Sequence, residues 1–209
     1  MDAVATTAEH GSPPARPAGG AARLFHDLLH RRRRFRQLLG WVFVFAVSLF
    51  GTPSVPALYW TGVVVAALGM LMRLAASGFV RKNQVLATNG PYAHVRHPLY
   101  TGNLLICIGF SLASGAWWAW PVGIAFVLLF YPNAIAYEDQ KLHRLFPDAW
   151  EPWARVTPAL VPSLRRTTPA GGERWSWSFR QSLFKNGEPI YVLVMAGLLF
   201  WLWRALYAG

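Results

Sequence analysis

The run His94-Val95-Arg96-His97-Pro98-Leu99-Tyr100-Thr101-Gly102 gathers two imidazoles, a guanidinium and a phenol within a few residues. Proline is favoured in the first turn of a helix, where its missing N–H costs nothing. Pro98 therefore puts His97 near an N-cap. At such a position backbone N–H groups point outward without intrahelical partners, and the helix dipole favours an anion such as a carboxylate. Tyr100 and Gly102 fall on the next turn, where a glycine admits a close backbone approach. Arg96 reads either as a headgroup contact or as part of the same anion site. Two histidines invite a metal, but no third ligand stands nearby, so no metal is expected. The Asn89-Gly90-Pro91 turn precedes this run.

A second polar cluster is Tyr137-Glu138-Asp139-Gln140-Lys141-Leu142, followed by Leu145-Phe146. Two adjacent acids at the end of an apolar stretch are costly to bury unpaired. Leu142, Leu145 and Phe146 keep helical spacing, so the helix is expected to run on past the acids. Two readings stand: Glu138 and Asp139 pair with nearby Arg, or one of them accepts hydrogen bonds from a cofactor ammonium or ribose. Glu138 or Asp139 could also act as a base. Beyond them, Trp150 and Trp153 lie three apart, as a belt or as one wall of a substrate pocket. Arg155 is the cation of this stretch, able to hold an anionic group.

The elements that must position these residues are apolar. Hydrophobic residues make up 54% of the 209 and charged ones 14%, too few charges for a soluble surface. Apolar segments are expected at Leu38–Phe50, Ala57–Leu74, Leu99–Ala113, Trp117–Ala136 and Pro189–Leu206. The first and third are short for a full span of about 20 residues. The chain thus reads as an all-α, polytopic membrane helix bundle of about five transmembrane helices. Eleven Trp and seven Tyr suit interfacial anchoring.

Residues 1–22, rich in Ala, Gly and Pro, read as a disordered tail, with 23–209 as the membrane domain. The cluster Arg31 to Arg34 plus Arg36 ahead of an apolar run resembles a secretory or twin-arginine signal. Four further apolar segments favour a signal-anchor that stays in the membrane.

With the N-terminus inside, the inner segments 1–37, 73–98 and 137–188 hold 7, 4 and 8 Lys or Arg, and the outer connections 51–56 and 114–116 hold none. That bias places the polar motifs at the cytoplasmic face. The net charge of +11 flanks apolar runs and suits anionic membrane lipids. Nucleic acid is not expected as a partner, and the oligomeric state stays open. Cys107 is the single cysteine, so no intrachain disulfide forms.

The two clusters together resemble the isoprenylcysteine carboxyl methyltransferase and phospholipid methyltransferase superfamily, over roughly Leu68 to Pro162. The first motif is Gly90-Pro91-Tyr92-Ala93-His94-Val95-Arg96-His97-Pro98-Leu99-Tyr100-Thr101-Gly102. The second is Glu138-Asp139-x-x-Leu142-x-x-x-Phe146, with Trp150, Trp153, Pro158 and Pro162 after it. The resemblance implies a helix bundle with a cytoplasmic-face pocket for S-adenosyl-L-methionine and methyl transfer to a lipid-like acceptor. His97, Tyr100 and Glu138 would help bind the cofactor, whose carboxylate suits the N-cap. Arg96, Gly102 and Asp139 join them as cofactor-binding candidates. Glu138 and Arg155 are the catalytic candidates, and Trp150 and Trp153 those for substrate. The family's usual second acid is Glu, here Asp139; its Gly after the Phe is Pro147; its paired tyrosines are Trp150 and Trp153. Relatives often carry Arg at the position of Val156, one place after Arg155.

No soluble Rossmann-type glycine motif is present. Rival readings are a membrane sterol or steroid reductase with a nicotinamide cofactor, which shares an Arg-His-Pro turn but usually has Asn where Leu99 stands, and a non-catalytic membrane scaffold.

Overall fold

The computed structural model describes residues 33–81, 84–166, 176–185 and 187–208. The 1–22 tail, Arg31 and Arg32 lie outside them. The described residues are helices joined by turns, with no strand among them. Helix α1 is Arg33–Leu49, α2 Pro56–Ser77, α3 Pro98–Ser114, α4 Ala119–Leu145, α5 Pro147–Val156 and α6 Glu188–Ala208. A single 3-10 turn, Gly90–Ala93, precedes α3, and a π-helical turn, Gln181–Lys185, precedes α6.

Local signals account for most boundaries. Pro56, Pro98 and Pro147 each open a helix at its first turn. Gly115 closes α3 in the left-handed region at φ 66°, the usual helix stop. Helices α2, α4 and α6 are long and apolar enough to cross a membrane, and α1 and α3 are shorter apolar helices. Their outward faces carry Leu71, Ile124, Leu128, Ile190 and Leu193, all exposed. An apolar exterior on this scale suits lipid rather than water.

Lipid tails give apolar side chains little reason to leave the exterior, so membrane helices associate through close packing of small residues. Helices α2 and α3 meet in this way. A Cβ on Gly69 would lie 2.6 Å from the Gly102 carbonyl oxygen, and one on Gly109 would lie 2.6 Å from that of Gly62. Around this seam Val47, Ile106, Phe110, Met195 and Leu202 form the buried core. A smaller core of Ala76, Leu86, Tyr92 and Trp153, with Phe146 and Leu142 against it, sits beyond the start of α3.

Helix α4 runs through Pro132 and past both acids to Leu145, the continuation that the Leu142 and Leu145 spacing implied. It is followed by α5, for which the signals were Pro147 at the start, Asp148 in the first turn and Arg155 in the last. After α5 the chain turns back along the segment ahead of α3. Arg96 N–H donates to Pro158 O at 2.8 Å, His97 N–H to Ala159 O at 3.1 Å, and Ser163 N–H to His94 O at 2.8 Å. Thr101 Oγ1 adds a bond to Leu160 O at 2.7 Å. The prolines at 158 and 162 thus mark a strap that fixes the entry to α3.

Candidate functional site

A cleft of about 810 Å³ opens where α3 begins, bounded by α1, α2, α4 and α6. Its polar lining residues include Arg96, His97, Tyr100, Glu138, Lys141 and Tyr92, and its apolar ones Val44, Ile106, Phe126, Phe130 and Met195. The size is in the range of small-molecule sites.

His97 occupies the N-cap of α3, but its side chain makes no capping bond. It turns to α4 instead, with Nε2 3.0 Å from Asp139 Oδ1. A carboxylate only accepts, so the imidazole hydrogen on this contact is on Nε2. The other oxygen of Asp139 lies 3.3 Å from Arg96 Nη2. Arg96 also donates from Nη1 to Ala154 O at 3.0 Å, which ties α5 to the turn before α3. Asp139 therefore joins three elements and does not line the cleft. Its neighbour Glu138 does. On a helix, successive residues are about 100° apart, which gives the two acids different surroundings.

Tyr100 lines the cleft with its ring 5.7 Å from that of His97 and 5.5 Å from that of Tyr131. Its hydroxyl accepts from Arg36 Nη2 at 3.4 Å. Trp153 is almost wholly buried, lines the cleft, and donates from Nε1 to Tyr92 O at 3.1 Å. Burial pushes the Tyr92 hydroxyl up, and the Glu138 and Glu188 carboxylates push it the same way. It therefore stays a neutral phenol at any working pH. Arg96 Nε is a buried donor without a hydrogen-bond partner among the described residues.

Besides Asp139, three more of the sequence candidates lie outside the cleft lining. A Cβ at Gly102 would meet the Arg73 side chain and Gly69 backbone rather than the cleft, so its close approach is between helices. Trp150 packs against His143 with the rings tilted and 4.8 Å apart, and lies beside Arg96, 6.0 Å from its guanidinium. Arg155 points outward, 78% exposed, and pairs with Glu151 one turn earlier at 3.5 Å.

One cluster escaped the sequence reading. Arg73 of α2 donates to both oxygens of Glu188, at 3.1 and 2.7 Å, and to Asn103 Oδ1 at 2.6 Å. Its guanidinium lies 4.2 Å from the centre of the Tyr191 ring, a cation–π contact. All four residues line the cleft. Glu188 is brought there because the preceding turn is pinned under α2: Ser77 and Ser182 hydroxyls are 2.7 Å apart, and Ser182 donates to Leu74 O. The available signal was a basic residue inside an apolar helix, an expensive arrangement unless paired.

A cobalt-zinc-cadmium resistance protein of Cupriavidus metallidurans is 39% identical over 166 residues, covering 72% of this chain and 73% of that protein. A nickel-cobalt-cadmium resistance protein of Alcaligenes xylosoxydans xylosoxydans is 40% identical over 105 residues, 49% of this chain and 47% of its own length. A protein-S-isoprenylcysteine O-methyltransferase of Schizosaccharomyces pombe is 28% identical over 81 residues, 39% and 34% of the two chains. No solved structure matches significantly. The phospholipid methyltransferase model matches residues 41–149, a stretch that spans α2, α3 and α4 and contains His97, Tyr100, Glu138 and Asp139, and the chain therefore belongs to the phospholipid methyltransferase family.

Proposed function

We propose that this cleft binds S-adenosylmethionine and that the protein transfers its methyl group to a lipid-like acceptor at the cytoplasmic face. The observation that carries the reading is the cleft's mixed lining. Glu138, His97, Tyr100 and Arg96 line it near the end of α4 and the start of α3, and Ile106, Phe126, Phe130 and Met195 line it two or more turns further along their helices. A charged, water-soluble donor and an apolar acceptor need such a pair of surfaces in one cavity. The distribution of Lys and Arg along the sequence supports the cytoplasmic orientation.

The lining suits the cofactor's charges. Glu138 offers a carboxylate for an ammonium or a ribose diol. Arg96, which lines the cleft, offers a guanidinium for a carboxylate. Tyr100, Tyr131 and Tyr191 line the same space, and aromatic faces attract a positively charged sulfonium. When bound, the cofactor supplies an electrophilic methyl group. The chain's part is to bind, orient and exclude water, which for in-line transfer is most of the catalysis. His97 is held by Asp139 and Tyr100 by packing against His97 and Tyr131, so both are set before any ligand arrives. An acceptor reaches the apolar side from the bilayer.

Titration calorimetry of the detergent-purified protein tests the reading. Binding of S-adenosylmethionine or S-adenosylhomocysteine without added metal is expected. Thermal stabilisation by a nicotinamide cofactor, and by neither of these, would overturn it. His97→Ala and Tyr100→Ala are expected to weaken the binding in folded protein, since both line the cleft. Arg155→Ala is expected to leave affinity unchanged, because an exposed ion pair contributes about 0–1 kcal/mol. A tenfold loss in Arg155→Ala would return that residue to the site.

A second reading rests on the names of two relatives, which concern metal resistance. Among the described residues no group of three or more His, Cys, Asp or Glu could hold a metal ion. A part in metal resistance would then be exerted through the methylated product. Cells lacking the gene would become more sensitive to cadmium and regain tolerance with the wild type but not with Glu138→Gln. Full rescue by that variant would separate tolerance from methyl transfer.

A further inference from the structure

The cleft contains a cation that is already answered. Each nitrogen of the Arg73 guanidinium is engaged: Nε and Nη2 by the two oxygens of Glu188, and Nη1 by Asn103. The Tyr191 ring covers one face. The two charged side chains are 15% and 5% exposed, with Ile106, Cys107 and Met195 lining the same cavity. A fork-to-fork pair of this kind is the strongest geometry open to a guanidinium. Its net charge is zero.

Glu188 lies in α6, beyond the residues 41–149 that define the family match. It is therefore an addition to the matched helices, delivered to Arg73 by the turn pinned at Ser77 and Ser182. Resting on the proposed function, we infer that Glu188 is a specificity-determining residue. By neutralising Arg73 it makes this part of the cleft select an acceptor whose reacting end is uncharged, such as a neutral amine, thiol or hydroxyl, and reject a lipid carboxylate. An incoming carboxylate would have to displace Glu188 from Arg73. That displacement leaves a buried acid unpaired, which is strongly unfavourable. A carboxylate that stopped short would meet the Glu188 charge at close range.

Two probes isolate this charge. N-acetyl-S-farnesylcysteine carries a carboxylate, and its carboxamide has the same shape without the charge. Their binding to full-length protein in detergent is read from tryptophan fluorescence, independently of any methyl transfer. The wild type is expected to bind the carboxamide at least about tenfold more tightly, equivalent to about 1.4 kcal/mol. Glu188→Gln keeps the shape and leaves Arg73 with an unneutralised charge. It is expected to raise carboxylate affinity at least about tenfold and to reverse the preference. A wild type that prefers the carboxylate, or a Glu188→Gln variant with unchanged preference, overturns the inference.

Should Glu188→Gln fail to fold, the double substitution Arg73→Met with Glu188→Met removes both charges at similar bulk. The carboxamide preference is then expected to survive, and its loss overturns the inference. A parallel titration with S-adenosylmethionine separates the two readings. Absent cofactor binding with the preference intact overturns the methyltransferase reading and supports the selectivity. Normal cofactor binding with no preference does the reverse.

Discussion

Glu138→Gln is expected to weaken S-adenosylmethionine binding at least about tenfold while leaving the melting temperature of the cofactor-free protein nearly unchanged. Glu138 lines the cleft on α4, as do Lys141 on the same helix and Tyr100 on α3, and is half-buried. A charge-assisted hydrogen bond lost from such a place costs about 1.5–3 kcal/mol, or roughly 10- to 150-fold in affinity. Gln keeps the shape and removes only the charge.

The neighbouring acid provides the contrast. Asp139 accepts from His97 at 3.0 Å and pairs with Arg96 at 3.3 Å, so it holds the site together from outside the cleft. Asp139→Asn leaves Arg96 without its counter-ion. Its first effect is expected on stability, and a loss of about 1 kcal/mol would lower the melting temperature by about 2–4 °C. Calorimetry and thermal melts on both variants check the assignment. Normal cofactor binding in Glu138→Gln together with abolished binding in a folded Asp139→Asn would exchange the two roles.

Gly109→Val is expected to be more damaging still, because it separates the two helices that carry the site. A Cβ at this position would lie 2.5 Å from Ala66 N and 2.6 Å from Gly62 O. Both are backbone atoms and neither can rotate away. Overpacking a well-filled core typically costs about 1–3 kcal/mol, and here the relief must come from moving α2 against α3. That movement carries Arg73, near the end of α2, away from Asn103 on α3, and it loosens the start of α3 where His97 and Tyr100 stand. A lower yield of monodisperse protein, a lower melting temperature and weaker cofactor binding are all expected. Gly40→Ala is the control: nothing lies within 4 Å of a Cβ there, and alanine is the better helix former by about 1 kcal/mol. A Gly109→Val protein as stable as the control would mean that the glycine seam is not the helix contact it is described as.

Much of this molecule was legible before any coordinates, because the signals were local. Apolar runs gave the helices α1, α2, α3, α4 and α6 within a few residues at most ends. Pro98 marked a start, since a missing N–H acts on the residue itself and its nearest neighbours. The spacing of Leu142 and Leu145 carried α4 past its acids. The composition of the runs called for a bilayer, and the two polar clusters identified the ends of α3 and α4 as the place where chemistry could occur.

What only the tertiary structure decided was the direction of each side chain and its distant partner. Glu138 and Asp139 are equivalent as neighbours in sequence; one faces the cleft and the other a guanidinium 43 positions earlier, because a helix turns about 100° between them. Gly102 reads the same whether a ligand or a helix approaches it, and the answer depended on where α2 lies. Arg155 stands one helical turn from Glu151 and faces outward, a matter of which side of α5 is buried by Trp153. Arg73 stands at the boundary of an apolar run and counts, in the sequence alone, only as one of the four cations of 73–98. Its partner Glu188 is more than a hundred residues away, beyond the reach of any local pattern. Long-range pairing of buried charges is chosen by the packing of helices against one another, and nothing in the order of residues along the chain encodes it directly.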